Sequence, residues 1–205
     1  MKENRSMNWD WEGWAGEAEA IKKLIVKHIA EGKSFILAID GRSGAGKSTL
    51  AAVLQKETGC PVFHMDDYFL RPQQRTAERF DLPGGNVDHE RFLSEILLPL
   101  KQGKKSISYR PYDCKLQALQ QAIEAEDCDV SIVEGSYSCH PALWDYYDFR
   151  VFVTISTDGQ RKRIIEREGN EKAAMFFERW IPMEEKYFSH YRIEERCDMV
   201  LRAER

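Results

Sequence analysis

Five consecutive apolar residues, Phe35 to Ile39, run into an aspartate and then a glycine, and a similar texture returns in VSIVEGS (130–136) and FRVFVTIS (149–156). Runs this continuous predict strands buried on both faces of a parallel sheet rather than the one-sided alternation of an exposed sheet. A shorter strand is expected in PVFHM (61–65), another in SISYRPY (106–112), and a last one, at the sheet edge, in DMVLR (198–202). Helical spacing fills the gaps. From about Gly16 to Glu31, Ala20, Leu24, Ile25, His28 and Ile29 fall on one face, predicting an amphipathic helix ahead of the first strand. Further helices are expected from about Gly46 to Glu57, stopped by Gly59 and Pro61, from about Asp88 to Gln102, and over KLQALQQAIEAE (115–126). The last third, from Asp158, reads as mostly helical. Strands alternating with helices indicate an α/β sandwich around a mainly parallel sheet. The stretch from Leu70 to Asn86, rich in Pro, Gly and Arg, is too long for a plain connection, which suggests function or mobility.

With 205 residues, this pattern fits one compact domain spanning 1–205. Its 42% hydrophobic and 31% charged residues are ordinary for a soluble globular protein. A formal net charge of −4 argues against nucleic acid as the main partner, since a surface that tracks a polyanion is usually basic. Cys60, Cys114, Cys128, Cys139 and Cys197 are odd in number and form no C-x-x-C pair, so they read as reduced thiols of a cytoplasmic protein. No apolar stretch approaches the length that spans a bilayer, so no membrane association is expected.

The turn after the first strand carries the chemistry. GRSGAGKS places Gly41, Gly46, Lys47 and Ser48 in the spacing G-x-x-x-x-G-K-[ST] between a strand and a helix. Glycine is needed because the backbone N–H groups must turn inward around phosphate oxygens, and the helix start behind them adds further unpaired donors. The loop spans 41–49, with Gly41, Ser43, Gly44, Ala45, Gly46, Lys47, Ser48 and Thr49 as expected nucleotide-binding residues. Lys47 is placed to reach the β- and γ-phosphates of ATP and the Ser48 hydroxyl to bind Mg²⁺. Two acids, Asp66 and Asp67, end the second strand, where a carboxylate can take a proton from an attacking hydroxyl; solvated acids at a turn are the plainer alternative. Glu134 ends an apolar strand, as a ligand to the metal or its water would. A guanine-reading [NT]-K-x-D motif is absent, which argues against a switch GTPase, and the chain is short for a remodelling ATPase.

Taken in order, GRSGAGKST, HMDDYF, NVDHERF, YRPYDC, IVEGSY and RKRIIEREG resemble the uridine kinase-like group of phosphoribulokinase-related P-loop kinases. That group includes nicotinamide riboside kinases and bacterial pantothenate kinases. The resemblance, over about Phe35 to Leu201, implies a P-loop NTPase three-layer sandwich with a helical lid. It implies that Asp66 is the general base beside catalytic Lys47, that Ser48 and Glu134 hold Mg²⁺, and that Asp88 and Tyr112 bind the acceptor. The lid would be 158–172, with Arg161, Arg163 and Arg167 closing on the substrates. Asp88 is also a credible helix cap, Tyr112 a credible core residue, and the three arginines a credible solvated helix face. Two features depart from the group: the lid reads E-R-E-G, and no histidine follows P-Y-D, where uridine kinases place one against the pyrimidine.

Arg71, Arg75 and Arg79 stand over the expected acceptor site, either solvated or facing an acceptor with a carboxylate or phosphate. Trp9, Trp11 and Trp14 read as a patch pinning the N-terminus to the domain or to a second subunit. RWIPMEEKYFSHY reads as a core-packing amphipathic helix, and His64 and His140 as ordinary hydrogen-bonded histidines. The expected function is ATP- and Mg²⁺-dependent phosphoryl transfer to a hydroxyl of a small metabolite, most simply a nucleoside such as uridine or cytidine. Alternatives are nicotinamide riboside, pantothenate or a sugar phosphate, and, in another class, a non-catalytic nucleotide-binding regulator. Self-association is an open option.

Overall fold

The computed structural model describes residues 14–126 and 128–203; Trp9 and Trp11 lie outside them. A five-stranded, wholly parallel sheet forms the centre, in the order β2 (Val62–His64), β7 (Val130–Glu134), β1 (Phe35–Gly41), β8 (Phe149–Ile155), β9 (Met199–Ala203). The two longest apolar runs, β1 and β8, sit side by side, and every residue of β1 and β7 is buried. Period-two alternation then divides β1 between two cores. Leu37 and Ile39 face α1 (Ala15–Glu31) and α2 (Lys47–Thr58) through Ile21, Ile25, Leu50 and Leu54. Ile36 and Ala38 face the opposite layer, with Tyr68, Phe92, Ile96, Tyr187 and Phe188.

That opposite layer contains α4 (His89–Phe92) and α5 (Leu98–Lys101), joined through a π turn at Leu93–Leu97, so the helix expected over 88–102 forms. Asp88 caps it, accepting the Arg91 amide at 3.2 Å. Toward the C-terminus come α6 (Thr157–Glu168), α7 (Asn170–Met175), a π turn at Phe176–Trp180, α8 (Ile181–Tyr191) and α9 (Ile193–Arg196). The segment 70–86 holds a short α3 (Ala77–Asp81) and is tied by Arg79, which donates to the carbonyls of Gly85 and Val87 and pairs with Glu90.

Two sequence expectations fail. KLQALQQAIEAE is not a helix. Ala118–Leu119 (β5) pairs antiparallel with Tyr112–Asp113 (β4), and Ile123–Ala125 (β6) with Ile107–Tyr109 (β3). Asp113 Oδ1 accepts the amides of Lys115 and Leu116 and turns the chain, and Gln117 takes a positive φ of 51°. Leu116 stays 74% exposed, so a helix here would have no face to bury and no tertiary support for its good propensity. The second failure is one of phase. α1 buries Ile21 and Ile25, while Ala20 and Ile29 of the expected stripe are exposed.

Candidate active site

The parallel sheet brings the C-terminal ends of β1, β2 and β7 together, and the chemistry-bearing residues follow them. At the end of β1, Gly41 has φ +137°, and a Cβ there would stand 1.9 Å from the Val153 carbonyl oxygen. Only glycine lets the chain turn into the loop this close to β8. Asp40, just before it, is fully buried and accepts four hydrogen bonds: from the amides of Gly41 (2.7 Å), Tyr137 (3.0 Å) and Cys139 (2.9 Å) and from the Tyr187 hydroxyl (2.8 Å). Burial raises its pKa to about 6 against the pull of these donors. One carboxylate thus ties the loop to the segment after β7 and to α8. Tyr137 holds a positive φ of 74° at this junction.

Within the loop, Lys47 is buried and folds back onto the carbonyls of Gly41 (2.7 Å) and Arg42 (3.0 Å), with Ser136 Oγ at 3.3 Å. Ser48 Oγ donates to Glu134 Oε2 at 3.1 Å, and the other Glu134 oxygen bonds His64 Nδ1 at 2.6 Å. That bond to Glu134 raises the His64 pKa. His140 bonds the Ala142 amide and stacks on His89, and burial lowers its pKa to about 3. Asp66 opens from the 3-10 turn Met65–Tyr68 onto a cavity of about 830 Å³ that also reaches Lys47, Ser48 and Glu134. Its surface stays exposed to the cavity, but the surrounding walls thin the water around the carboxylate, and this desolvation, followed by the Glu134 charge, raises its pKa above the usual carboxylate value. Burial raises Asp67 too, but its side chain is not among those lining the cavity.

The segment expected as a lid meets the loop directly. Gln160 Nε2 donates to the Ser43 carbonyl at 3.0 Å, and Arg163 Nη1 to those of Gly44 (3.2 Å) and Ala45 (3.4 Å). Arg163 and Arg167 line the cavity, Arg167 lying 2.8 Å from Glu168. Arg161 instead covers the Phe177 ring, and Asp88 and Tyr112 are likewise absent from the cavity lining. Asp88 is buried between Arg71 (3.5 Å) and Arg91 (3.6 Å), and the buried Tyr112 accepts from Arg75 at 3.1 Å.

What the sequence reading missed is concentrated on the helix taken there for core packing. The π turn and α8 supply Phe176, Arg179, Trp180 and Glu184 to the cavity. Glu184 is almost wholly buried, and its carboxylate sits in the loop, accepting from the Ser43 amide (3.1 Å) and the hydroxyls of Ser43 (2.5 Å) and Ser136 (2.7 Å). Its neighbour Glu185 grips Arg42 at 2.7 and 3.0 Å, with Glu194 adding a third oxygen at 3.2 Å. On the far side of the loop Trp14 donates to the Arg202 carbonyl at 2.8 Å, and its ring lies 3.1 Å from where a Gly46 Cβ would be. Trp14 therefore does pin the start of the described chain to the loop.

The donor set suits a hard cation. Ser48 and Glu134 offer two oxygens at one point, and among the described residues no cluster of three or more His, Cys, Asp or Glu is arranged to hold a metal. A magnesium ion would complete its shell with phosphate and water oxygens, as it usually does at such loops. Among the described residues no helix is long and apolar enough to cross a membrane.

No family model matches the chain. Solved structures that it is similar to include a possible uridine kinase from Bacillus stearothermophilus, at 22% identity and a TM-score of 0.63 over 90% of this chain and 99% of that one. A protein described as a fructose transport system kinase, from Silicibacter sp. TM1040, matches at 19% identity and a TM-score of 0.63, covering 89% and 98%. The YGR205w protein matches at 16% identity and a TM-score of 0.56, covering 90% and 93%. At these identities the likeness is one of architecture, and the chain has the α/β fold of the P-loop kinases.

Proposed function

We propose that this chain is an ATP- and Mg²⁺-dependent kinase that phosphorylates a hydroxyl of a small metabolite. The observation that carries the reading is the convergence of Lys47, the Ser48–Glu134 pair and Asp66 on one cavity. Bound MgATP supplies the phosphoryl group and the electrophilic phosphorus. Loop amides and Lys47 hold the triphosphate once Lys47 exchanges the Gly41 and Arg42 carbonyls for phosphate oxygens. Ser48 and Glu134 fix the metal end. Asp66, held above the usual carboxylate pKa, is a stronger proton acceptor than a solvated aspartate and takes the proton of the attacking hydroxyl. Arg163 and Arg167 face the same cavity and stabilise charge spreading over the transferred group.

A nucleoside heads the acceptors to be tried because of the motifs shared with uridine kinases, and the names of the similar structures add a sugar to the panel. The regulatory alternative draws on Glu184, which already occupies a loop amide, but a sensor has no use for a base at Asp66. ADP release with MgATP over that panel tests the reading, with Asp66→Asn as the control. The expected result is acceptor-stimulated turnover that the variant loses by at least about 10²-fold while it keeps its nucleotide affinity. Equal turnover by the variant would remove Asp66 from the role.

A further inference from the structure

Several arginines of this protein are held by an acid. Arg42, Arg79, Arg91, Arg150 and Arg202 each have a carboxylate oxygen within 3.3 Å, in a chain with 34 acidic residues against 30 Lys and Arg. Arg75 and Arg179 share with Arg110, Arg161 and Arg196 the lack of a carboxylate within 4.0 Å among the described residues, but unlike those three they line the cavity. Arg75 is half-buried and is held by the Leu70 carbonyl (2.9 Å) and the Tyr112 hydroxyl (3.1 Å). Arg179 lies against the rings of Trp180 (4.8 Å) and Phe80 (5.2 Å). Arg179 is exposed on the cavity wall, and both guanidinium groups keep N–H donors that an incoming anion can take over from water; their planar fork matches a carboxylate or a phosphate.

Neither bonds the phosphate loop: Arg75 holds Leu70 and Tyr112, and Arg179 leans on Trp180 and on Phe80 of the 70–86 segment. Lys47 of the loop and Arg163 of α6, by contrast, both already bond loop carbonyls. Arg75 enters from the 70–86 segment and lines the same cavity as Cys114 and Asp66.

We propose that the acceptor is an anion, a hydroxylated metabolite whose carboxylate or phosphate is bound by Arg75 and Arg179 while its hydroxyl faces Asp66. The assignment rests on the kinase reading and narrows it. In the transfer, the acceptor oxygen bonds to the γ-phosphorus, the bond from that phosphorus to the β,γ-bridging oxygen breaks with its electron pair leaving on ADP, and the hydroxyl proton passes to Asp66. A neutral nucleoside would leave both guanidinium groups without a counter-charge.

The test uses matched pairs, glycerate with glycerol and ribose 5-phosphate with ribose, plus uridine, in the presence of Mg²⁺ and a non-hydrolysable ATP analogue. The readout is alkylation of the exposed Cys114, followed by mass spectrometry. One charged member is expected to slow alkylation about tenfold more than its neutral twin, and Arg75→Gln and Arg179→Gln are expected to abolish that difference while holding nucleotide affinity within about twofold. Protection by glycerate separates a carboxylate site from the phosphate site that protection by ribose 5-phosphate would indicate. Protection by uridine or a neutral twin equal to that of the anions, or none by either anion at millimolar concentration, would overturn the proposal. ADP release on the same compounds reads the kinase assignment independently. Protection without turnover would sink that assignment and leave the anion site standing, whereas turnover of a neutral acceptor unaffected by Arg75→Gln would do the reverse.

Discussion

The two ends of the cavity are built differently. At the phosphate end nearly every polar group has a partner: Asp40 has four donors, Arg42 three carboxylate oxygens, and Lys47 two carbonyls, all hung on strands buried on both faces. At the end proposed for the acceptor the groups come from the 70–86 segment, the hairpins around 107–125 and a π turn, and two of its guanidinium groups lean on rings. A triphosphate makes the same demand of any such loop, so the backbone itself can be dedicated to it. An acceptor is chosen by side chains, and side chains on irregular segments can differ without disturbing the sheet.

The most severe way to break this contrast is to strike the dedicated backbone. Gly41→Ala would place a methyl group 1.9 Å from the Val153 oxygen at a φ that alanine rarely adopts. A stability loss of more than about 3 kcal/mol and no nucleotide binding are expected, read by urea unfolding and nucleotide titration. A variant that folds and binds normally would show that the cradle is softer than its contacts imply. Next comes Asp40→Asn, which turns an acceptor into a donor facing the Cys139 amide and the Tyr187 hydroxyl, at an expected cost of about 2–4 kcal/mol.

The same variant sharpens the comparison through pH. Asp40 is raised from 3.8 to about 6, so the folded protein holds this proton more tightly than the unfolded chain. Its contribution is full below 3.8 and is lost as pH rises through 6. The stability gap between wild type and Asp40→Asn should therefore be wider near pH 4 than at pH 7, by on the order of 2–3 kcal/mol, as measured by unfolding at both values. Smallest of all is Arg179→Gln at the acceptor end, expected to shift stability by less than about 0.5 kcal/mol because no acid depends on it. A larger thermal shift would mean that the acceptor end leans on its polar contacts as heavily as the phosphate end does.

Legibility in the sequence divides along the same line. The central strands and the loop are readable because their signals are local: continuous apolar runs, and glycines at fixed offsets before Lys47. Glu134 stands out as an acid ending an apolar strand, and the same signal stands at Asp40 at the end of FILAI. There the glycine motif that follows at once overshadows it. Glu184 has no such marker. It is one acid in an amphipathic helix, and only the packing of α8 on the loop gives it meaning. The hairpins at 107–125 are hidden by a good helical composition, which says nothing of what a helix there would bury. The stripe on α1 is off by one position at each end because His28 and Leu24 are half-buried and blur its phase.

The carboxylate of Glu184 in the loop has a thermodynamic consequence. Glu184 sets an anion against the Ser43 amide, so under the proposed function a nucleotide phosphate reaching that amide would exchange one anion for another. The contact that steadies the ligand-free protein is then subtracted from the affinity for nucleotide, and the two quantities should move in opposite directions. Glu184→Gln is expected to lower the melting temperature of the free protein and to tighten nucleotide binding several-fold, so that the variant gains more stability from saturating nucleotide than the wild type does.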